Sequence, residues 1–178
     1  MFDIKITEYD IFKAKKEANE INKGISTIGR NGTKEEQIIG NIAENKIVEI
    51  LNVPKANKII DYGYDIKINN KLIDIKCMGR KFKPKLDYVA NFFPRQKNYK
   101  ANFFLYTSYN KNLKILTVCG LIEKEQYFEK AKLFKKGTKR FRGQSPPLIV
   151  EDDLYELEYK YFTSIKSLQE LKNKLYES

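Results

Sequence analysis

Between Asp65 and Lys76 the chain alternates polar and apolar residues on both sides of a central Asn69-Asn70. Alternation of period two marks strands with one buried face. An Asn-Asn pair suits a two-residue hairpin link, because Asn tolerates positive φ. With those two residues in the turn, Ile68 pairs with Lys71, Lys67 with Leu72, Ile66 with Ile73 and Asp65 with Asp74. One face then carries Ile66, Ile68, Ile73 and Ile75, which read as core. The other face brings the Cβ atoms of Asp65 and Asp74 to about 5 Å, with Lys76 two residues further along it. Like charges opposed in a sheet are destabilising. A divalent cation between them reverses that sign, since hard cations take carboxylate oxygens. Asp61 is a rival for the first acid, and cross-strand pairing favours Asp65.

The clearest helical pattern covers residues 33–51. Thr33 with Glu36 forms a capping box, and Ile38, Ile39, Ile42, Ala43, Ile47, Ile50 and Leu51 make an apolar stripe. Glu44 falls on the flank of that stripe, one turn after Gly40, where the missing side chain leaves room for another backbone or a ligand. An earlier helix over 7–23 starts at Thr7 and ends before Gly24. The stretch 25–32 holds Arg30 among turn formers, and reads as an interhelix loop or an approach to a phosphate backbone. Residues 59–61 suggest a short strand, and 102–109 and 113–122 two more, joined at Asn110-Lys111-Asn112. A short helix over 123–131 turns Tyr127 and Phe128 inward. Residues 87–99 are aromatic and read either as a second core helix or as an irregular loop. A strand over 154–162 precedes a terminal helix over 164–175, which packs on the core or mediates a homodimer.

With 178 residues and no dividing linker or internal repeat, one domain is expected. It would comprise an N-terminal helix and loop (1–32), a catalytic core (33–131), and a basic segment, strand and terminal helix (132–178). Histidine is absent, which removes His general bases, Ser-His-Asp and Cys-His arrangements, and His-containing zinc sites. Two cysteines, Cys77 and Cys119, make no disulfide framework and read as small core residues. Catalysis, if present, rests on carboxylates, lysine, tyrosine, serine or a carboxylate-bound metal.

The net charge of +11 points to a polyanionic partner, nucleic acid first and an anionic membrane surface a distant second. An A/T-rich gene inflates Lys, Asn and Ile as well, but the cations cluster. Arg80, Lys81, Lys83 and Lys85 directly follow the hairpin. Lys132, Lys135, Lys136, Lys139, Arg140 and Arg142 interleave with Phe134 and Phe141, as on a surface that tracks a nucleic-acid backbone. The first cluster reads alternatively as a solvated charged loop. No run of 18 apolar residues and no signal-peptide pattern is present, so a cytoplasmic protein without a membrane span is expected.

Asp65, eight intervening residues, and Asp74-Ile75-Lys76 resemble the bipartite signature of the PD-(D/E)xK nuclease superfamily. Gly40-Asn41-Ile42-Ala43-Glu44 is similar to the Gly-x-x-x-Glu of its preceding helix, and the likeness covers roughly residues 24–130. The resemblance implies a restriction-endonuclease-like α/β domain, with a central mixed β-sheet flanked by helices. It implies a Mg²⁺-dependent endonuclease acting on DNA, with Mn²⁺ as a substitute and RNA left open as substrate. Asp65, Asp74 and the main-chain carbonyl of Ile75 would hold the metal. Glu44 would take a second metal or a water on it, and Lys76 would position the attacking water. Gln96 resembles a polar auxiliary residue of some members. The small size is similar to stand-alone phage or mobile-element nucleases, including Holliday-junction resolvases. A noncatalytic nucleic-acid-binding or inhibitor-like protein on the same fold is the alternative.

Overall fold

The computed structural model describes residues 1–20, 33–56, 63–141 and 146–177. The short strand expected at 59–61, with Asp61, lies outside them, as do Arg30 and Arg142. The alternation around Asn69-Asn70 becomes a hairpin of β2 (Ile66–Ile68) and β3 (Lys71–Arg80), with Ile66 opposite Ile73, Lys67 opposite Leu72 and Ile68 opposite Lys71. Asn69 takes the positive φ that the turn demands, at 51°. Ile66, Ile68, Ile73 and Ile75 are all buried. Burying each stabilises by about 2 kcal/mol, against a few tenths to ~1 kcal/mol for two opposed like charges. The isoleucines therefore set the register, and the acids follow.

β3 continues beyond its partner and pairs in parallel with β5 (Phe103–Asn110), which puts Asp74 beside Phe104 and Lys76 beside Tyr106. β5 returns antiparallel as β6 (Ile115–Glu123), and β6 takes β1 (Phe2–Lys5) on its far side. The mixed sheet thus has five strands in the order β1-β6-β5-β3-β2.

Alternation along these strands divides the core into two layers. One sheet face carries Ile73, Ile75, Leu105, Leu116 and Val118, covered by α1 (Glu8–Glu20), α2 (Lys34–Leu51) and α4 (Leu168–Tyr176). The terminal helix therefore packs on the core through Leu168, Leu171 and Leu175. The opposite face carries Phe104 and Tyr106. It is covered by α3 (Lys124–Lys130) and a small antiparallel sheet of β4 (Val89–Phe92), β7 (Lys132–Phe134) and β10 (Leu154–Glu158). Phe92 stacks on Phe104 at 4.2 Å, and the Tyr127 hydroxyl donates to the carbonyls of Ala90 and Tyr155. A separate two-stranded ribbon joins β8 (Lys139–Arg140) to β9 (Leu148–Ile149). Residues 87–99, ambiguous in sequence, form β4 and a 3-10 turn at Pro94–Asn98. The basic segment from 132 starts as a sheet strand. No helix among the described residues is long and apolar enough to cross a membrane.

Both long helices are tied down at their starts. Thr33 and Glu36 form the expected capping box of α2. At α1, Asp10 accepts from the Thr7 N–H and hydroxyl, both at 2.8 Å, while Thr7 Oγ1 accepts from the Asp10 N–H. Lys46 on α2 reaches Asp10 at 3.3 Å, clamping the helices together. Burial pushes the Asp10 carboxyl up, but the Thr7 and Lys46 contacts outweigh it and leave its pKa below the ordinary value. A depressed pKa contributes stability above the unfolded value, near 4, and loses it as pH falls through the folded one. Asp10→Ala should cost about 1 kcal/mol at pH 7. Denaturant titrations repeated at falling pH should show that difference shrinking below about pH 4.

Candidate active site

Asp65 sits one residue before β2 and ends it. Its N–H donates to the Ile73 carbonyl at 2.9 Å, and its Oδ2 accepts the Ile75 N–H at 2.7 Å. A carboxylate thus takes the place of a ladder partner at the edge of β3. That position sets it close enough to Asp74 for the two carboxyls to act on each other's charge. Asp74 is 4% exposed, and its Oδ1 pairs with Lys76 Nζ at 2.8 Å. Main-chain groups of one strand residue share an edge, so the Ile75 carbonyl faces the same side as the N–H that Asp65 captures.

Glu44 belongs to the same electrostatic group and is among the charges acting on both aspartates. It lies on the polar flank of α2, with Lys55 Nζ at 2.7 Å from its Oε2. Lys55 also bonds Asn45 Oδ1 at 2.9 Å and lies 3.7 Å from Glu17. Gly40 offers less than expected: a methyl there would meet Glu44 Oε1 at 3.9 Å, an ordinary contact.

Burial, with the charges of Glu44 and Asp74, holds the Asp65 pKa well above the carboxylate range. Burial also raises Asp74, despite opposition from Lys76. Burial draws Lys76 down, but Asp74 and Asp65 outweigh it, so its ammonium is held above its ordinary value. Cys77 and Cys119 are both free thiols pushed up to about 12 by burial, so neither is a poised nucleophile.

No three His, Cys, Asp or Glu side chains among the described residues converge as a ready metal cluster. The two aspartates nevertheless suit a hard cation. Asp74 Oδ2 is buried without a hydrogen-bond partner, and two ionised carboxylates offer each other no proton. A divalent ion would supply the missing countercharge.

Beside this group opens a cleft of about 940 Å³. Lys76 lines it, while Arg80, Lys81, Arg95 and Lys111 supply further cations and Phe93, Tyr99 and Tyr109 aromatic rings. Gln96 also lines it, with its Oε1 accepting the Phe93 N–H at 2.7 Å. Arg80 is largely committed to the fold: it donates to Val89 O and Tyr159 Oη and lies over the Tyr88 ring. Lys83 pairs with Asp3 at 2.7 Å, and neither it nor exposed Lys85 is among the described cleft residues. The later basic segment is partly neutralised. Lys135 pairs with Asp153 at 2.8 Å, and the Lys136 N–H donates to the same carboxylate. Arg140 pairs with buried Glu156 and stacks on Phe134, while Lys139 is exposed. Lys55, Tyr99 and Lys111 were not anticipated as site residues. Phe93 and Arg95 lay in a stretch marked only by its mix of aromatic and basic residues.

Comparison with protein-family models, curated proteins and solved structures finds no match.

Asp65→Asn keeps an acceptor for the Ile75 N–H and removes a disfavoured, half-buried charge. In metal-free buffer at pH 7 it should raise stability by about 1 kcal/mol. A folded pKa above the unfolded one means that stability falls as pH rises from about 4. Thermal melts across pH should show this fall weakened in the variant.

Proposed function

We propose that this protein is a Mg²⁺-dependent endonuclease that hydrolyses phosphodiester bonds in DNA, on a restriction-endonuclease-like scaffold. The observation that carries the reading is half-buried Asp65 set against buried Asp74, with an unpartnered Asp74 Oδ2 and Lys76 bound to the other oxygen. Two acids are packed where neither ionises comfortably, next to a cationic cleft. Sites of this kind are where function outweighs stability.

Asp65, Asp74 and the Ile75 carbonyl would hold the metal, with Glu44 nearby. When bound, Mg²⁺ supplies charge stabilisation for the phosphate and lowers the pKa of water. Lys76 stays protonated, so it serves as a fixed positive charge that orients water and phosphate oxygens, not as a general base. Asp74 holds that ammonium in place through its Oδ1. Ile75 fixes Asp65 through its N–H. The hydrocarbon beneath β3 closes the site from the helical side.

The capture of Glu44 by Lys55 favours a second reading. In it the chain binds nucleic acid or a protein partner without cleaving.

A panel of supercoiled plasmid, branched DNA, single-stranded DNA and RNA, incubated with Mg²⁺, Mn²⁺ or a chelator, separates the two. Cleavage is expected with either metal and none with chelator. Asp74→Ala and Lys76→Ala should each lower the rate by about a hundredfold or more while melting as folded proteins. Binding without cleavage of any substrate would establish the second reading, and full activity in both variants would remove this site from the chemistry.

A further inference from the structure

The hydrolytic group touches the cleft at a single side chain. Asp74 has only 5% of its side chain exposed, whereas Lys76 has 30% and lines the cleft wall. A phosphate lying in the cleft therefore meets the Lys76 ammonium first. The cleft volume of about 940 Å³ lies near the upper end of the ~300–1,000 Å³ that encloses a drug-sized molecule. Such a space takes a short stretch of one strand.

Tyr99 lines the cleft with Lys76 and contributes to the electrostatic environment of that ammonium. Its backbone is anchored. Its carbonyl accepts from Lys124 Nζ at 2.7 Å. Gly63, at φ +69°, packs so closely that an added Cβ would lie 2.9 Å from the Tyr99 Cβ. Phe93 stands on the same wall at the start of the 3-10 turn, half-buried, with the Arg95 guanidinium 5.0 Å from its ring centroid. Two partly exposed rings, set among Lys76, Lys81 and Arg95, are the combination that binds unpaired strands. Bases stack on the rings, and cations track the phosphates.

Building on the nuclease reading above, we propose that the cleft selects an unpaired polynucleotide strand. Tyr99 and Phe93 stack its bases while the phosphate beside them meets Lys76. Free single strands, flaps and the open centres of branched DNA present this chemistry, and intact duplex does not. The cations and rings read no base edges, so the selection is for unpaired structure, not sequence.

The test is binding by the full chain in chelator, where cleavage cannot intervene. Fluorescence anisotropy would compare a labelled single strand of about a dozen nucleotides, as DNA and as RNA, with duplex of the same sequence. The single strand should bind at least about tenfold more tightly than duplex. Tyr99→Ala and Phe93→Ala should each weaken it about tenfold or more, with duplex binding unchanged, and Tyr99→Phe should restore it. Melting curves check that each variant folds. Comparison of the DNA and RNA arms identifies which strand is taken. Equal affinity for duplex and single strand, or alanine variants that bind as wild type, would overturn the proposal. If single strands bind through Tyr99 but no metal produces cleavage, the cleft assignment stands and the nuclease reading fails. If intact duplex is cut as fast as single strand, the reverse holds.

Discussion

One hydrogen bond, from the Ile75 N–H to Asp65 Oδ2, governs the geometry of this molecule's charged centre. It ends β2, fixes the first acid at the strand edge and holds it against the second. The bond suits both partners: a main-chain donor with no described strand beside it gains an acceptor, and a half-buried carboxylate gains a donor. Without it, Asp65 would be free to turn toward solvent, and the crowding that raises both acids would relax. Asp74 and Lys76 have less freedom. Parallel pairing with β5 sets them beside Phe104 and Tyr106, over the aromatic layer.

The charged group survives because the hydrocarbon around it is extensive. Isoleucines on one side of the hairpin and stacked rings on the other each bury far more than the acids lose. The price is a local patch in which ionised aspartates are disfavoured. Lys76 offsets part of it, and Lys55 does the same for Glu44.

Much of this was legible in the residues. The hairpin register followed from period-two alternation about Asn69-Asn70, because isoleucine burial is large and strictly alternate. The start of α2 followed from Thr33 and Glu36. β1 was missed although Phe2-Asp3-Ile4-Lys5 alternates, since four residues are too few to stand out without the β6 partner that defines them. The 3-10 turn and β4 were missed because short irregular pieces carry no period. The ion pairs of the basic segment after 132 were hidden for a different reason. Charge density is local in sequence, but the counter-ions Asp153 and Glu156 arrive from later in the chain. Tyr9 and Phe12 belong to a helical pattern yet are exposed, because α1 buries Ala14 and Ala18 instead. The cleft itself draws on α2, β3, the 3-10 turn and the β5–β6 connection, so no contiguous stretch announces it.

The brevity of β2 has an effect of its own. β3 runs on to Arg80, yet β2 pairs with it only at residues 71–73, and among the described strands none takes up the rest of that margin. By alternation, the amides of Cys77 and Gly79 point the same way as that of Ile75, along a border that both residues share with the cleft. The polypeptide backbone therefore offers the cavity a row of polar contacts that side-chain replacement leaves in place. Any contact made through such a margin would depend little on neighbouring side chains, and mutational drift in them would erode it slowly.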